Sequence, residues 1–367
     1  MTRINGFTAL RLLAAVLVIF THSYSLGGAV EDPFMATVGL VPASTLGVDA
    51  FFAISGFLIC GSLMRQPQIG RFLAARALRI LPALVVLLLV TVFVMGPLVT
   101  TAADYWERPL TFQYLLNGLL FVWRPFLPGV FEAATTTPVV NGSLWTLPME
   151  AICYLVLALM AWCGSFNRRG LFALTLGGYL FFVLGAFHKD FILFNYAGGL
   201  IAEHLMRFVA LFGGGALIRM LEAPRALSGP ATLAAGALVV LAFLLGQIDW
   251  RFFPYLYLLA WPWFVVGLAF RLKALAGLDR FDVSYGLYLY AFPVQQVIVQ
   301  AAGGSMPQLL LFAASLALTL VPATLSWFLV ERPMLRLKPG RPDPRLTDPA
   351  GNAASSVGAF AIGRGGG

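Results

Sequence analysis

The sequence predicts an all-α fold, a polytopic bundle of about ten transmembrane helices with both termini in the cytoplasm. Three observations predict it. Hydrophobic residues fill 60% of the 367 positions and charged residues only 11%, against roughly 25% charged in an average soluble domain. One soluble core cannot hide that much apolar surface, whereas a bilayer can. Ten stretches reach the length of about 20 mostly apolar residues that a helix needs to cross hydrocarbon. The Lys and Arg residues sit at the ends of these stretches, heavily biased to one side, which is how membrane proteins are oriented.

In chain order the expected spans are 8–27, 45–64, 78–98, 143–163, 170–187, 203–221, 229–247, 254–271, 281–301 and 308–330. The first begins close behind Arg3 but lacks a small-residue cleavage site, so it reads as a retained helix and not a signal peptide. A shorter apolar run at 112–123 is too short to span and reads as an interfacial or re-entrant piece of the 99–142 connection. With the N-terminus cytoplasmic, eighteen Lys and Arg residues fall on that side and four, Arg108, Arg124, Lys189 and Arg251, on the other. Residues 1–338 form the membrane domain. The Pro, Gly, Ala and Ser-rich tail 339–367 reads as disordered and cytoplasmic, with no appended soluble domain.

The formal net charge of +8 does not indicate nucleic acid, because the basic residues flank apolar stretches instead of gathering on one solvated face. Cys60, Cys153 and Cys163 all lie in apolar segments, with neither disulfide nor metal-ligand spacing, and read as packing residues.

Ionisable side chains inside spans are costly and mark functional sites. Arg11 and His22 share the first span; eleven residues sum to about 1,100°, roughly 20° past three turns, so they lie on one face about 16 Å apart. Arg11 near the cytoplasmic end also suits a snorkelling anchor. Asp49 opens the second span at a depth similar to that of His22, where a carboxylate can fix an imidazole tautomer, or simply cap its own helix. Arg76 and Arg79, three apart, share a face at the start of the third span, with Arg71 nearby. Guanidinium forks of this kind suit phosphate oxygens, and equally suit anchoring to anionic lipid. Glu150 lies in the fourth span behind the segment Asn141-Gly-Ser143-Leu-Trp145. Asn141-Gly142-Ser143 also fits a glycosylation acceptor, a short match that arises by accident. Trp145 and Trp123 offer stacking faces for a sugar, although interface tryptophans are ordinarily membrane anchors. Glu203, His204 and Arg207 cluster at the outer start of the sixth span and read as a mutually paired face.

Taken together these pieces resemble the membrane-bound acyltransferase family 3, which includes O-acetyltransferases of O-antigen, exopolysaccharide and nodulation factors. The resemblance runs from about residue 4 to 337. It rests on Leu10-Arg11 through Thr21-His22, Gly47-Val48-Asp49-Ala50-Phe51-Phe52-Ala53-Ile54-Ser55-Gly56-Phe57, Arg76-Ala77-Leu78-Arg79, Ser143-Leu144-Trp145 followed by Glu150, Ser284-Tyr285-Gly286-Leu287-Tyr288, and Glu331-Arg332-Pro333. Two positions depart from the pattern: Ala151 follows Glu150 where many members have a second acidic residue, and Tyr290-Ala291-Phe292 stands where many carry a histidine.

The resemblance implies an inner-membrane enzyme that moves an acyl group, acetyl above all, from cytoplasmic acyl-CoA to a hydroxyl of an envelope or exported glycan or glycolipid. It implies His22 as general base or covalent acyl carrier, Asp49 and Glu150 in support, and Arg11, Arg76 and Arg79 on the donor's phosphates. Ser143 and Trp145 fall to the acceptor. The chemistry calls for no metal, and no nucleic acid is expected as a partner. The competing reading of the same residues is a proton-coupled transporter or flippase, whose substrate path would also need intramembrane His, Asp and Arg.

Overall fold

The computed structural model describes residues 6–133, 136–187, 199–222 and 227–338. Arg3, Lys189, Arg225 and the tail from residue 339, on which expectations of topology and disorder were placed, lie outside the described residues. Among the described residues there are helices and turns and no strand.

Ten long helices fall on the ten expected segments: α1 (Phe7–Leu26), α2 (Ala43–Arg65), α3 (Ile69–Val90), α4 (Thr146–Trp162), α5 (Arg168–Phe187), α6 (Gly199–Leu221), α7 (Gly229–Ile248), α8 (Phe253–Ala269), α9 (Ser284–Ala301) and α10 (Gln308–Ser326). Among the described residues, eight stretches are long and apolar enough to cross a membrane, and α5 and α9 are not among them. The sequence of α9 shows why. It carries Tyr285, Tyr288, Tyr290, Gln295 and Gln296, and both glutamines are buried in the bundle. Gln295 donates from Nε2 to the Ile19 carbonyl at 2.9 Å and to Ser23 Oγ at 2.7 Å, joining α9 to α1. A helix that hides polar groups this way is an inner staff of the bundle, not a lipid-facing one.

The most consequential boundary shift is at α3. It begins at Ile69, nine residues before the expected span, because Gln66-Pro67-Gln68 is the true break. Arg76 and Arg79 therefore sit two to three turns inside a helix, and not at its start. Arg71 is exposed, whereas Arg76 and Arg79 are partly buried.

Two helices carry a π-helical turn before their last segment, at Thr91–Met95 beyond α3 and at Trp327–Glu331 beyond α10. The first accompanies a hydrogen bond from Tyr105 OH to the Val92 carbonyl at 2.9 Å. The second delivers Glu331, only 2% exposed, into the interior, where Ser326 Oγ donates to its Oε1 at 3.1 Å. Such turns commonly reposition side chains at working sites. In the 99–142 connection, the short run folds as Pro109–Gln113 followed by a 3₁₀ turn Tyr114–Leu119, too short to span.

Helix α1 packs on α2, α9 and α10; α2 packs on α6; α6 packs on α5. Small residues set the α2–α6 approach. A side chain at Gly56 would collide with the Phe212 carbonyl, and one at Gly215 with the Ala53 carbonyl. Close backbone approach of this kind drives helix association in lipid, where apolar burial alone gives no preference. Above the end of α1, Asp32 ties the connection to α2. It accepts from Thr21 Oγ1 at 2.6 Å, Met35 N at 2.9 Å and Ala43 N at 3.0 Å.

Candidate active site

Helices α1, α2, α3, α4 and α9 enclose a cavity of about 140 Å³. Arg11 enters it from α1, Arg76 and Arg79 from α3, Glu150 and Tyr154 from α4, Ser284, Tyr285 and Tyr288 from α9, and Val48 through Ile59 from one face of α2. The α2 wall alone runs twelve residues, about 16 Å along the axis. The cavity thus extends as a slot along α2.

Its charges are arranged in layers. At the end nearest the start of α9, Arg11 Nη2 donates to Asp282 Oδ2 at 2.9 Å, and Arg79 Nη2 donates to the same oxygen at 3.0 Å. Arg79 Nη1 also reaches Glu331 Oε2 at 3.4 Å. Arg76 has no carboxylate partner among the described residues, and its Nε is buried without a hydrogen bond. Deeper in, Glu150 Oε1 accepts from Tyr154 OH and, at 3.4 Å, from Ser55 Oγ. A carboxylate inside a membrane bundle needs such donors or a cation. Tyr285 OH donates to the Ile80 carbonyl at 2.9 Å, and Tyr288 OH to the Ser143 carbonyl at 3.0 Å, so α9 is pinned to both α3 and the start of α4.

The structure brings together four of the residues singled out in the sequence, Arg11, Arg76, Arg79 and Glu150, on one cavity. It places the others elsewhere. His22 lies on the Arg11 face of α1, beyond the lining residues; its ring packs edge-on to Phe292 at 5.0 Å, and its Nδ1 is buried without a partner. Asp49 is bonded not to His22 but to groups of α6 and α8. It is fully buried, accepts from Tyr257 OH at 3.0 Å and pairs with Arg207 Nε at 3.4 Å. Helix α2 turns Asp49 toward α6 and α8, where it lines a second cavity with Glu203, Arg207 and Trp250. Of the expected cluster Glu203, His204 and Arg207, Arg207 pairs with Asp49, and the His204 ring lies 5.1 Å from Trp145. Trp145 therefore packs on His204 and on Phe208, at 5.8 Å, away from the cavity. Ser143 is buried, with its Oγ unpaired. Asn141 is buried as well. It donates to the Leu289 carbonyl at 2.9 Å and accepts from Ser143 N at 3.0 Å, a structural use of the amide.

Four residues of this neighbourhood escaped the sequence reading: Tyr154 and Ser55, which line the cavity, and Asp282 and Glu331, which pair with its arginines from outside the lining. Tyr154 had a signal, since it follows Glu150 by four and so shares its helix face. Asp282 had one too, since it falls inside the expected span 281–301, where an ionisable side chain is costly.

The family model for acyltransferase 3, described as an acyltransferase domain, matches residues 4–329, nearly the whole chain. The chain belongs to acyltransferase family 3. Membership makes the protein an acyltransferase and decides against the transporter reading. Within the family it is similar to an O-acetyl transferase of Shigella phage Sf6, 30% identical over 95% of this chain and 99% of the relative. It is also similar to nodulation protein 10 of Rhizobium leguminosarum bv. viciae, 27% identical over 91% of this chain and 94% of the relative. No solved structure matches the chain.

Proposed function

We propose that this acyltransferase resides in the inner (plasma) membrane and moves an acetyl group from cytoplasmic acetyl-CoA to a hydroxyl of an envelope or exported glycan or glycolipid. The observation that carries the reading is the convergence of Arg11, Arg76, Arg79 and Glu150 on one cavity in a family 3 chain. The O-acetyl transferase named among its relatives supports the acetyl group.

The donor's phosphates stay at the arginine-bearing mouth, where guanidiniums neutralise them. The pantetheine arm carries the thioester inward. The acceptor approaches from the opposite end, where Asn141–Trp145 and the 27–42 connection lie, so Ser143 and Trp145 shape that approach without lining the slot. The acceptor oxygen attacks the thioester carbonyl, the carbon–sulfur bond breaks, and the hydroxyl proton ends on the CoA thiolate. His22 carries that proton as general base, or holds the acyl group briefly as nucleophile. Glu150, oriented by Tyr154 and Ser55, receives or positions a proton within the slot. Asp49 braces α2 against α6 and α8.

The test is a comparison of surface glycans by mass in cells with and without the gene. An acetyl increment that disappears with the gene, and returns with the wild-type copy, is expected. Identical glycan masses in both strains, under conditions where the protein is made, overturn the acceptor assignment.

A further inference from the structure

The geometry points to Asp282 as a positioning residue of the donor site, a fixed carboxylate that draws Arg11 and Arg79 together and leaves Arg76 as the guanidinium free for donor phosphate. This rests on the reading of the slot as the acyl-CoA site.

Asp282 Oδ2 receives Arg11 at 2.9 Å and Arg79 at 3.0 Å, side chains contributed by α1 and α3. Two guanidiniums within reach of one oxygen repel each other strongly where water is scarce, so the arrangement exists only while an anion stands between them. Asp282 is itself immobilised. Its Oδ1 accepts from Ser284 Oγ at 2.5 Å and from Ser284 N at 3.4 Å, which locks the carboxylate to the first turn of α9. A carboxylate held on both oxygens is a fixture, not a latch that donor phosphate would displace. Glu331 completes the frame from beyond α10, at 3.4 Å from Arg79.

The three cavity arginines thereby divide. Arg11 and Arg79 are compensated and aligned. Arg76 lines the same cavity but makes no ion pair among the described residues, while its Nε, like that of Arg11, is buried without a hydrogen bond. Replacing Asp282 by Asn preserves shape and removes the charge, so the two aligned guanidiniums separate and the mouth of the slot loses its form. Donor binding suffers although Asp282 itself is negative and its loss makes the mouth more cationic. A purely Coulombic contribution has the opposite sign.

The experiment measures binding of free CoA to the purified full-length protein in lipid nanodiscs by calorimetry. Asp282→Asn and Arg76→Gln are each expected to weaken CoA by about tenfold, the cost of one charge-assisted contact. Asp282→Glu is expected to stay within about threefold of wild type, and in an Arg79→Gln background Asp282→Asn to add less than about twofold, because the pair it serves is already broken. Ser284→Ala, which keeps the charge and removes the tether, should weaken CoA by about threefold and carries the test if Asp282→Asn does not fold. Wild-type affinity or tighter binding in Asp282→Asn, or an undiminished effect in the Arg79→Gln background, overturns the role of Asp282 alone. Failure of the wild type to bind CoA overturns the donor reading itself, and this role with it.

Discussion

Glu150 and Tyr154 stand one helical turn apart, line the slot and share a hydrogen bond. Glu150→Gln keeps the shape and removes the proton-accepting oxygen, so transfer should fall by about 100-fold or more. Tyr154→Phe only frees the carboxylate to turn, and a loss nearer tenfold in kcat, with KM for the donor unchanged, is expected. Steady-state kinetics with acetyl-CoA distinguishes the two, and equal losses in both variants contradict the division of roles. At this scale the sequence was informative where spacing along one helix sufficed, as for Arg11 and His22 or Arg76 and Arg79. It failed where the answer depended on rotation about the helix axis. The depth of Asp49 could be counted, but its direction toward Tyr257 and Arg207 depends on how α2 settles against α6 and α8.

Eight of the long helices were legible as elements because their apolar length has few other solutions in a bilayer. Their ends were less so. The hydropathy of the α3 segment rises only after Arg79, so the turns from Ile69 were left out of the span, and two partly buried arginines were placed at the start of a helix instead of two to three turns inside it. The contact of α2 with α6 is the least tolerant junction between elements. Gly56→Leu drives a side chain into the Phe212 backbone and should destabilise the bundle by ~3 kcal/mol, within the range for overpacked cores. Thermal unfolding in detergent checks it. An unchanged midpoint means that α2 and α6 separate without cost. Gly70, with open space around it, is the control position, and Gly70→Leu should be silent.

For the whole molecule, the bias of Lys and Arg assigns a direction that the arrangement of helices alone does not. The cavity arginines lie toward the end predicted to be cytoplasmic, where acyl-CoA is available. The three cysteines report on this directly: Cys60 and Cys153 are buried, and Cys163 is exposed just beyond α4. A membrane-impermeant maleimide should label the protein at Cys163 in inside-out vesicles and leave it unlabelled in right-side-out vesicles or whole spheroplasts. The reverse pattern inverts the proposed orientation and places the arginines on the side without donor.

Transfer of labelled acetyl from acetyl-CoA to a glycan acceptor by the purified protein joins these scales, with His22→Ala and Arg76→Gln compared to wild type. His22→Ala is expected to abolish transfer while CoA binding is kept, and Arg76→Gln to raise KM for acetyl-CoA by about tenfold with kcat largely retained. Near-wild-type transfer by His22→Ala, or a loss of CoA binding in it with binding intact in Arg76→Gln, contradicts the assignment of chemistry to His22 and of donor binding to the arginine-lined slot.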